Sequence, residues 1–294
     1  MKCGTVVIVG APNVGKSTLL NALLKEKVAI VSEKPQTTRT RILGVGHFPE
    51  AQIVFLDTPG LHQPQHRLNR RMVQTTLDTM QEANLLYAMV EATAPPGRLD
   101  HRVIEHVREA AESSSIPAFL LINKVDLVNK SRILPLIEVY RKLYDWTEIV
   151  PLSARTGDNL DRLAAITINH LPQGEAPYGN DMLTDQTMRI LAAELVREKI
   201  LQATREEIPH AVAVGIDSFV EEGKLARIAA SVLVDKESQK AIVIGKHGEQ
   251  LKRAGTQARL EMERLFGMKV FLELWVKVRP GWRENEMVLT ELGY

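Results

Sequence analysis

Gly10-Ala11-Pro12-Asn13-Val14-Gly15-Lys16-Ser17 fits the pattern G-x-x-x-x-G-K-[ST], and the setting of this stretch decides the fold. The apolar run TVVIVG (5–10) leads into it, and a helix-like segment over 16–25 leaves it. Glycines at these places let the backbone wrap closely around a diphosphate, with successive N–H groups turned inward. The start of the helix adds positive potential. Lys16 is placed to reach the β- and γ-phosphates, and the Ser17 hydroxyl to ligate Mg²⁺. Gly10, Ala11, Pro12, Asn13, Val14, Gly15, Lys16, Ser17 and Thr18 are therefore read as nucleotide-binding.

Further apolar runs follow: QIVFLD (52–57), LLYAMVEA (85–92), AFLLIN (118–123) and EIVPLS (148–153). None alternates strictly between apolar and polar residues, which is how strands buried on both faces read. Helix-like segments near 67–82, 98–112, 131–145 and 158–171 separate them. That alternation predicts an α/β domain over 1–171 with a mostly parallel central sheet. RILGVGHF (41–48) is a candidate antiparallel edge strand. LPQGEAPYGND (171–181) is rich in Pro and Gly and reads as a linker, bounded at 172–182. A smaller α+β domain is expected over 183–294. It starts with a helix for which Thr184 is a plausible N-cap, and continues through strands at 211–220 and 226–235 to a last strand at 270–278.

Two more loops bear on the choice of nucleotide. Asp57-Thr58-Pro59-Gly60 ends a buried strand, where a carboxylate can hold Mg²⁺ through water and the Gly60 N–H can bond a γ-phosphate. Asn123-Lys124-Val125-Asp126 ends another. The Asp126 carboxylate can accept both guanine N1–H and N2–H₂, whereas adenine would leave it unmatched, so the site favours GTP over ATP. Ser153-Ala154-Arg155, after the next strand, can offer a backbone N–H to guanine O6.

In this order, the phosphate loop, Thr37-Thr38, Asp57-Thr58-Pro59-Gly60, Asn123-Lys124-Val125-Asp126 and Ser153-Ala154-Arg155 resemble the translation-factor-related GTPases. Lys34-Pro35-Gln36-Thr37-Thr38-Arg39 and the attached C-terminal domain are similar to the Era family in particular, over essentially the whole chain. The resemblance implies switch I around 32–41 and switch II from 57 to 70 or so. It implies a Mg²⁺ set of Ser17, Asp57 and Thr38, with Thr37 the alternative to Thr38, and a catalytic set of Lys16, Thr38, Gly60 and Asn13. Ras-type GTPases place a Gln just after D-x-x-G to orient the attacking water. Leu61 stands there in this chain, an aliphatic replacement that the resemblance predicts, so hydrolysis is expected to be slow. Related GTPases with Asn at the position of Asn13 use K⁺ in place of an arginine finger. Asn13 is read either as a K⁺ ligand or as a residue that shapes the loop, and Arg39 is a weaker alternative for charge stabilisation.

In the C-terminal part, Ile244-Gly245-Lys246-His247-Gly248 contains a G-x-x-G between two helix-like segments. This resembles the loop of a type II KH domain, which clamps a single-stranded nucleic-acid backbone. Lys240, Lys246, Lys252, Arg253 and Arg259 face only Glu249 between 240 and 259. The expected RNA-binding residues are Ile244, Gly245, Lys246, His247, Gly248, Lys252 and Arg253, with Ile242-Val243-Ile244 lining the groove. Trp275, in an alternating strand, is expected in the core. Trp282, beside Arg279 and Arg283, is the more open to RNA.

Composition sets limits on partners. The 294 residues carry 37 Lys+Arg against 36 Asp+Glu, a net charge of +1, so any nucleic-acid surface has to be a local patch. One cysteine, Cys3, excludes an intramolecular disulfide and fits a reducing compartment. No run approaches the length of a membrane span or a signal-peptide core, so a cytoplasmic protein is expected.

The resemblance implies an RNA-binding switch cycling between GTP and GDP with Mg²⁺. Its partners would be the 3′ region of small-subunit rRNA and the pre-30S particle, with peripheral contact to the cytoplasmic face of the inner membrane. No DNA partner is expected, and the chain is expected to be a monomer. An RNA-modifying enzyme is disfavoured by the lack of a catalytic Cys motif or a second cofactor site. A membrane-remodelling GTPase is disfavoured by the lack of a long amphipathic apolar segment. A metabolic P-loop kinase has no need to read guanine at 123–126.

Overall fold

The computed structural model describes residues 1–204 and 208–294, which cluster into two compact units. The first holds most of residues 1–185. Residues 30–37 and 65–68 cluster with the second, which otherwise runs from Gln186 to Tyr294.

The first unit is built on a six-stranded sheet ordered β2-β3-β1-β4-β5-β6. Its strands are β1 (Lys2–Gly10), β2 (Ile42–Phe48), β3 (Ala51–Asp57), β4 (Leu85–Glu91), β5 (Ala118–Asn123) and β6 (Glu148–Pro151). Only the β2–β3 pair is antiparallel, so the stretch at 41–48 forms the expected edge strand. The helices are α1 (Lys16–Leu24), α2 (Arg67–Met80), α3 (Arg98–Ser114), α4 (Ile133–Arg141) and α5 (Leu160–His170). Alternate residues of β1 enter different cores. Val6 and Ile8 join Leu19, Leu20 and Leu163 from α1 and α5, while Val7 and Val9 join Val103, Ile104 and Val107 from α3. Burial on both faces explains why these runs lack alternation.

The Pro/Gly-rich stretch after α5 lies along this unit. Cys3 N–H donates to the Pro172 carbonyl at 3.0 Å. Gln52 bonds the Tyr178 backbone twice, at 2.8 and 3.0 Å. The Thr184 hydroxyl donates to the Leu43 carbonyl at 2.7 Å, so Thr184 does not cap the next helix. The cap is Thr187, whose hydroxyl accepts from the Ile190 N–H at 3.3 Å.

The second unit contains α6 (Met188–Ala203), α7 (Ile208–Ala211), β7 (Ala213–Glu222), β8 (Leu225–Val234), α8 (Glu237–Ile244), α9 (Glu249–Phe266), β9 (Lys269–Val278) and α10 (Glu286–Glu291). Its sheet is ordered β7-β8-β9, antiparallel then parallel. One face is covered: Leu195, Val196 and Ile200 of α6 and Ala254, Ala258 and Met262 of α9 meet Ala226, Ile228, Ala230 and Val232 of β8. Along β9 the other face is open to solvent, so parity decides the fate of each of its residues. Val270, Leu272, Leu274 and Val276 associate with the core. Phe271 and Trp275 fall on the opposite parity, and Trp275 is 46% exposed rather than buried as expected.

Trp282 reverses its expectation as well. It is 0% exposed, and its indole N–H donates to the Ala211 carbonyl at 3.0 Å. It is a structural anchor for the C-terminal segment and is closed to RNA. Trp282→Ala is expected to destabilise the chain by about 3–5 kcal/mol. Trp282→Phe keeps most of the volume but leaves a buried carbonyl without its donor, for a loss of about 1–3 kcal/mol. Urea denaturation of both variants checks the order.

Candidate nucleotide site and nucleic-acid groove

The loops after β1, β3, β5 and β6 all emerge at the carboxyl edge of the first sheet. Asn13 and Gly15 take positive φ, 66° and 103°, which turns the loop after β1 back on itself before α1 begins at Lys16. A side chain at Gly15 would collide with the Asn123 amide, so both conformation and space require glycine there.

Lys16 is 6% exposed, and its ammonium donates to the carbonyls of Gly10 and Ala11 at 3.3 and 3.0 Å. Burial pulls Lys16 down to about 8, with the charge of Asp57 opposing. Burial likewise pushes Asp57 up to about 6, against the Lys16 charge and hydrogen bonds from Ser17, Thr38 and the Thr58 backbone. Each is the desolvated counter-charge of the other.

Three oxygens converge beside them. The Ser17 and Thr38 hydroxyls are 2.7 Å apart, and both donate to Asp57 Oδ2, at 2.6 and 3.3 Å. Asp57 Oδ1 is buried with no hydrogen-bond partner among the described residues. Two hydroxyls and a carboxylate with spare acceptor capacity suit a hard divalent cation such as Mg²⁺, which takes its remaining oxygens from phosphate and water. The structure distinguishes the two threonines. Thr38 converges on Ser17 and Asp57, whereas the Thr37 hydroxyl closes a local turn onto the Lys34 carbonyl at 2.7 Å.

Gly60 packs tightly on the phosphate loop, since a Cβ there would meet Pro12 N at 2.7 Å. Thr58 and Pro59 are occupied inside the protein. The Thr58 hydroxyl donates to the Ile8 carbonyl at 2.8 Å, and the Pro59 carbonyl accepts from Thr76 at 3.0 Å. Neither side chain is left to serve a nucleotide.

The base loops are tied together by Asn123, which is 3% exposed. Its amide donates to the Val14 carbonyl at 2.7 Å, and its side-chain oxygen accepts from the Ala154 N–H at 2.9 Å. Asn123 thus fastens the phosphate loop to the Ser153-Ala154-Arg155 loop. Ser153 donates to Asp126 Oδ1 at 2.7 Å and so aims the carboxylate. Lys124 pairs with Glu91. Asp126 and Arg155 are exposed, and Thr18 is half-buried in the first turn of α1.

In the second unit, Gly245 (φ 73°), His247 (φ 52°) and Gly248 (φ 79°) make the break between α8 and α9. Lys246, His247, Lys252 and Arg253 are exposed around it. A cleft runs from this loop along α9 to β9, with Gly248, Leu251, Lys252, Arg259, Leu272 and Leu274 among its walls. Its apolar lining is therefore Leu251, Leu272 and Leu274. Of the expected triplet, Val243 is core at 1% exposure, Ile242 is exposed and Ile244 is half-buried. The leucines escape sequence reading because α9 and β9 bring them together from separate segments.

Comparison with known proteins agrees with both units. A family model described as a 50S ribosome-binding GTPase matches residues 5–124, and a KH-domain model matches residues 207–283. GTPase Era of Geobacter metallireducens is 49% identical over 295 residues, covering 100% of this chain and 98% of its own. GTPase Era of Leuconostoc citreum is 46% identical, with coverage of 100% and 96%. Among solved structures, a variant of Aquifex aeolicus Era bound to GDP·AlF₄⁻ superposes with a TM-score of 0.95 at 43% identity, covering 100% of this chain and 99% of that one. An Era complex with MgGDPNP and nucleotides 1506–1542 of 16S ribosomal RNA gives 0.96 at 43% identity, with the same coverage. The doubly covered sheet with its phosphate loop, the G-x-x-G unit and the relatives matched along the whole chain therefore place this chain in the Era family of GTPases.

Proposed function

We propose that the chain is a GTP-driven switch that binds the 3′ region of small-subunit rRNA through its KH domain and assists assembly of that subunit. A single observation carries the reading. A structure 43% identical along the whole chain holds MgGDPNP and a 16S rRNA segment together, and this chain has both a phosphate loop and a G-x-x-G cleft. The division of labour is 1–171 for GTP, 172–182 as connector and 183–294 for RNA. The description of the broader family as 50S ribosome-binding supports a second reading, a large-subunit partner. Co-sedimentation with separated subunits decides between them.

In this reading Gly10 to Thr18 cradle the phosphates, and Lys16 exchanges its carbonyl partners for β- and γ-oxygens. Ser17, Thr38 and Asp57 hold Mg²⁺, which when bound neutralises charge on the phosphates. Gly60 N–H meets the γ-phosphate. Asp126, with Asn123, Lys124 and the Ser153-Ala154-Arg155 loop, holds the base, and guanine covers the exposed carboxylate. Lys246, His247, Lys252 and Arg253 take the RNA backbone between Gly245 and Gly248. Hydrolysis is slow, since Leu61 cannot orient water, and Asn13 helps bind a K⁺ that stabilises charge between the β- and γ-phosphates. The protein works as a monomer in the cytoplasm, with peripheral contact to the membrane. That last point rests on the family resemblance; the described residues include no helix long and apolar enough to span a bilayer.

Asp126→Asn is expected to weaken GTP binding by about 1.5–3 kcal/mol through loss of charged hydrogen bonds. It should strengthen binding of xanthosine triphosphate, whose 2-carbonyl can accept from the new amide, and calorimetry reads both. GTP hydrolysis is expected to run several-fold faster in KCl than in NaCl, and equal rates would remove the K⁺ role. The 16S segment is expected to bind more tightly with GDPNP than with GDP, by the same factor with which RNA tightens GTP over GDP. Gly248→Asp places a negative charge against the RNA backbone at a positive φ and should abolish that binding. Lys252→Ala should reduce the salt slope by about one.

A further inference from the structure

The residue directly after Gly60 is turned away from any chemistry. Leu61 is 1% exposed, belongs to the same core as Leu43, Val45 and Leu56, and is pinned by its N–H to the Gly10 carbonyl at 3.0 Å. The next residue differs. His62 is 8% exposed, and its Nδ1 lies 2.7 Å from the Gly60 carbonyl oxygen. A carbonyl has no proton to give, so Nδ1 is the donor. In the neutral ring that leaves Nε2 as an acceptor. Nε2 is buried and has no hydrogen-bond partner among the described residues. Leaving a buried acceptor unsatisfied is unfavourable, so this atom calls for an explanation. The ring is latched to Gly60, which itself is pressed against Pro12 of the phosphate loop.

We propose that His62 orients the attacking water, Nε2 accepting a hydrogen bond from it where a Ras-type enzyme would use the side-chain oxygen of Gln. The inference rests on the reading above that Gly60 meets the γ-phosphate. In the reaction the water oxygen forms the new bond to Pγ. The bond from Pγ to the bridging oxygen breaks, and its electron pair stays on the β-phosphate of GDP. The proton lost by the water is taken by inorganic phosphate, and His62 ends unchanged. The side chain acts by geometry, holding an O–H that Leu61 cannot hold.

The test uses the full chain with three substitutions: His62→Ala, His62→Gln and His62→Phe. Single-turnover GTP hydrolysis is measured beside affinities for GDP, GDPNP and GDP·AlF₄⁻, with thermal melting to establish that each variant is folded. His62→Ala is expected to hydrolyse GTP about 10²-fold more slowly and to bind GDP·AlF₄⁻ more weakly, with GDP and GDPNP affinities unchanged. His62→Gln restores an acceptor and should recover much of the rate, whereas His62→Phe fills the space and should not. A His62→Ala or His62→Phe enzyme as fast as the parent overturns the proposal. So does a loss of GDPNP affinity that matches the loss of rate, since His62 would then only shape the loop. Failure of the parent chain to bind GDPNP would instead remove the phosphate-site reading beneath it.

Discussion

The first unit turns on β1, which is buried on both faces and paired in parallel with β3 on one side and β4 on the other. After β1 the chain goes to the β2–β3 side, then returns to continue through β4, β5 and β6. Where successive connections leave a strand in opposite directions, a crevice opens beyond the carboxyl ends of the sheet. Ile8 stands opposite Asp57, and Gly10 opposite Met89, so the loops after β1 and β3 meet at that crevice. The site is a consequence of strand order, and the motif residues occupy a place that the topology has already made.

The chemistry of that place is set by desolvation. Lys16 and Asp57 lose hydration in the same crevice, and each is moved toward its neutral form. They are incompletely compensated: Lys16 takes loop carbonyls, and Asp57 keeps one oxygen without a hydrogen-bond partner among the described residues. A phosphate chain accompanied by Mg²⁺ offers each of them the charge it lacks. The same low-dielectric setting that makes burying this pair costly makes its interactions with a nucleotide strong.

Much of this was legible from residue order alone. The phosphate loop, Asp57 to Gly60 and Asn123 to Asp126 each follow a continuous apolar run, and those runs are strands buried on both faces. The G-x-x-G was legible because its glycines take backbone angles that other residues avoid. The residues that lie elsewhere than expected do so for separate physical reasons. Trp275 was misread because alternation reveals two faces without saying which is inward, and Trp282 because its partner, the Ala211 carbonyl, lies in a separate segment. Thr184 looks like a cap but spends its hydroxyl on Leu43, which leaves Thr187 to do it. His62 carries no motif, and its interest comes from a hydrogen bond to the backbone two residues earlier.

Asn123 bonds Val14 with one end of its amide and Ala154 with the other, and passes through the space that a Cβ at Gly15 would fill. The two halves of the pocket therefore share one small side chain. Base and phosphate affinities should not be separable quantities in this protein. A methyl group added at position 15 would act first on Asn123 and through it on the loop at Ser153-Ala154-Arg155. An alteration among the phosphate-binding residues would then emerge as poorer discrimination between purines.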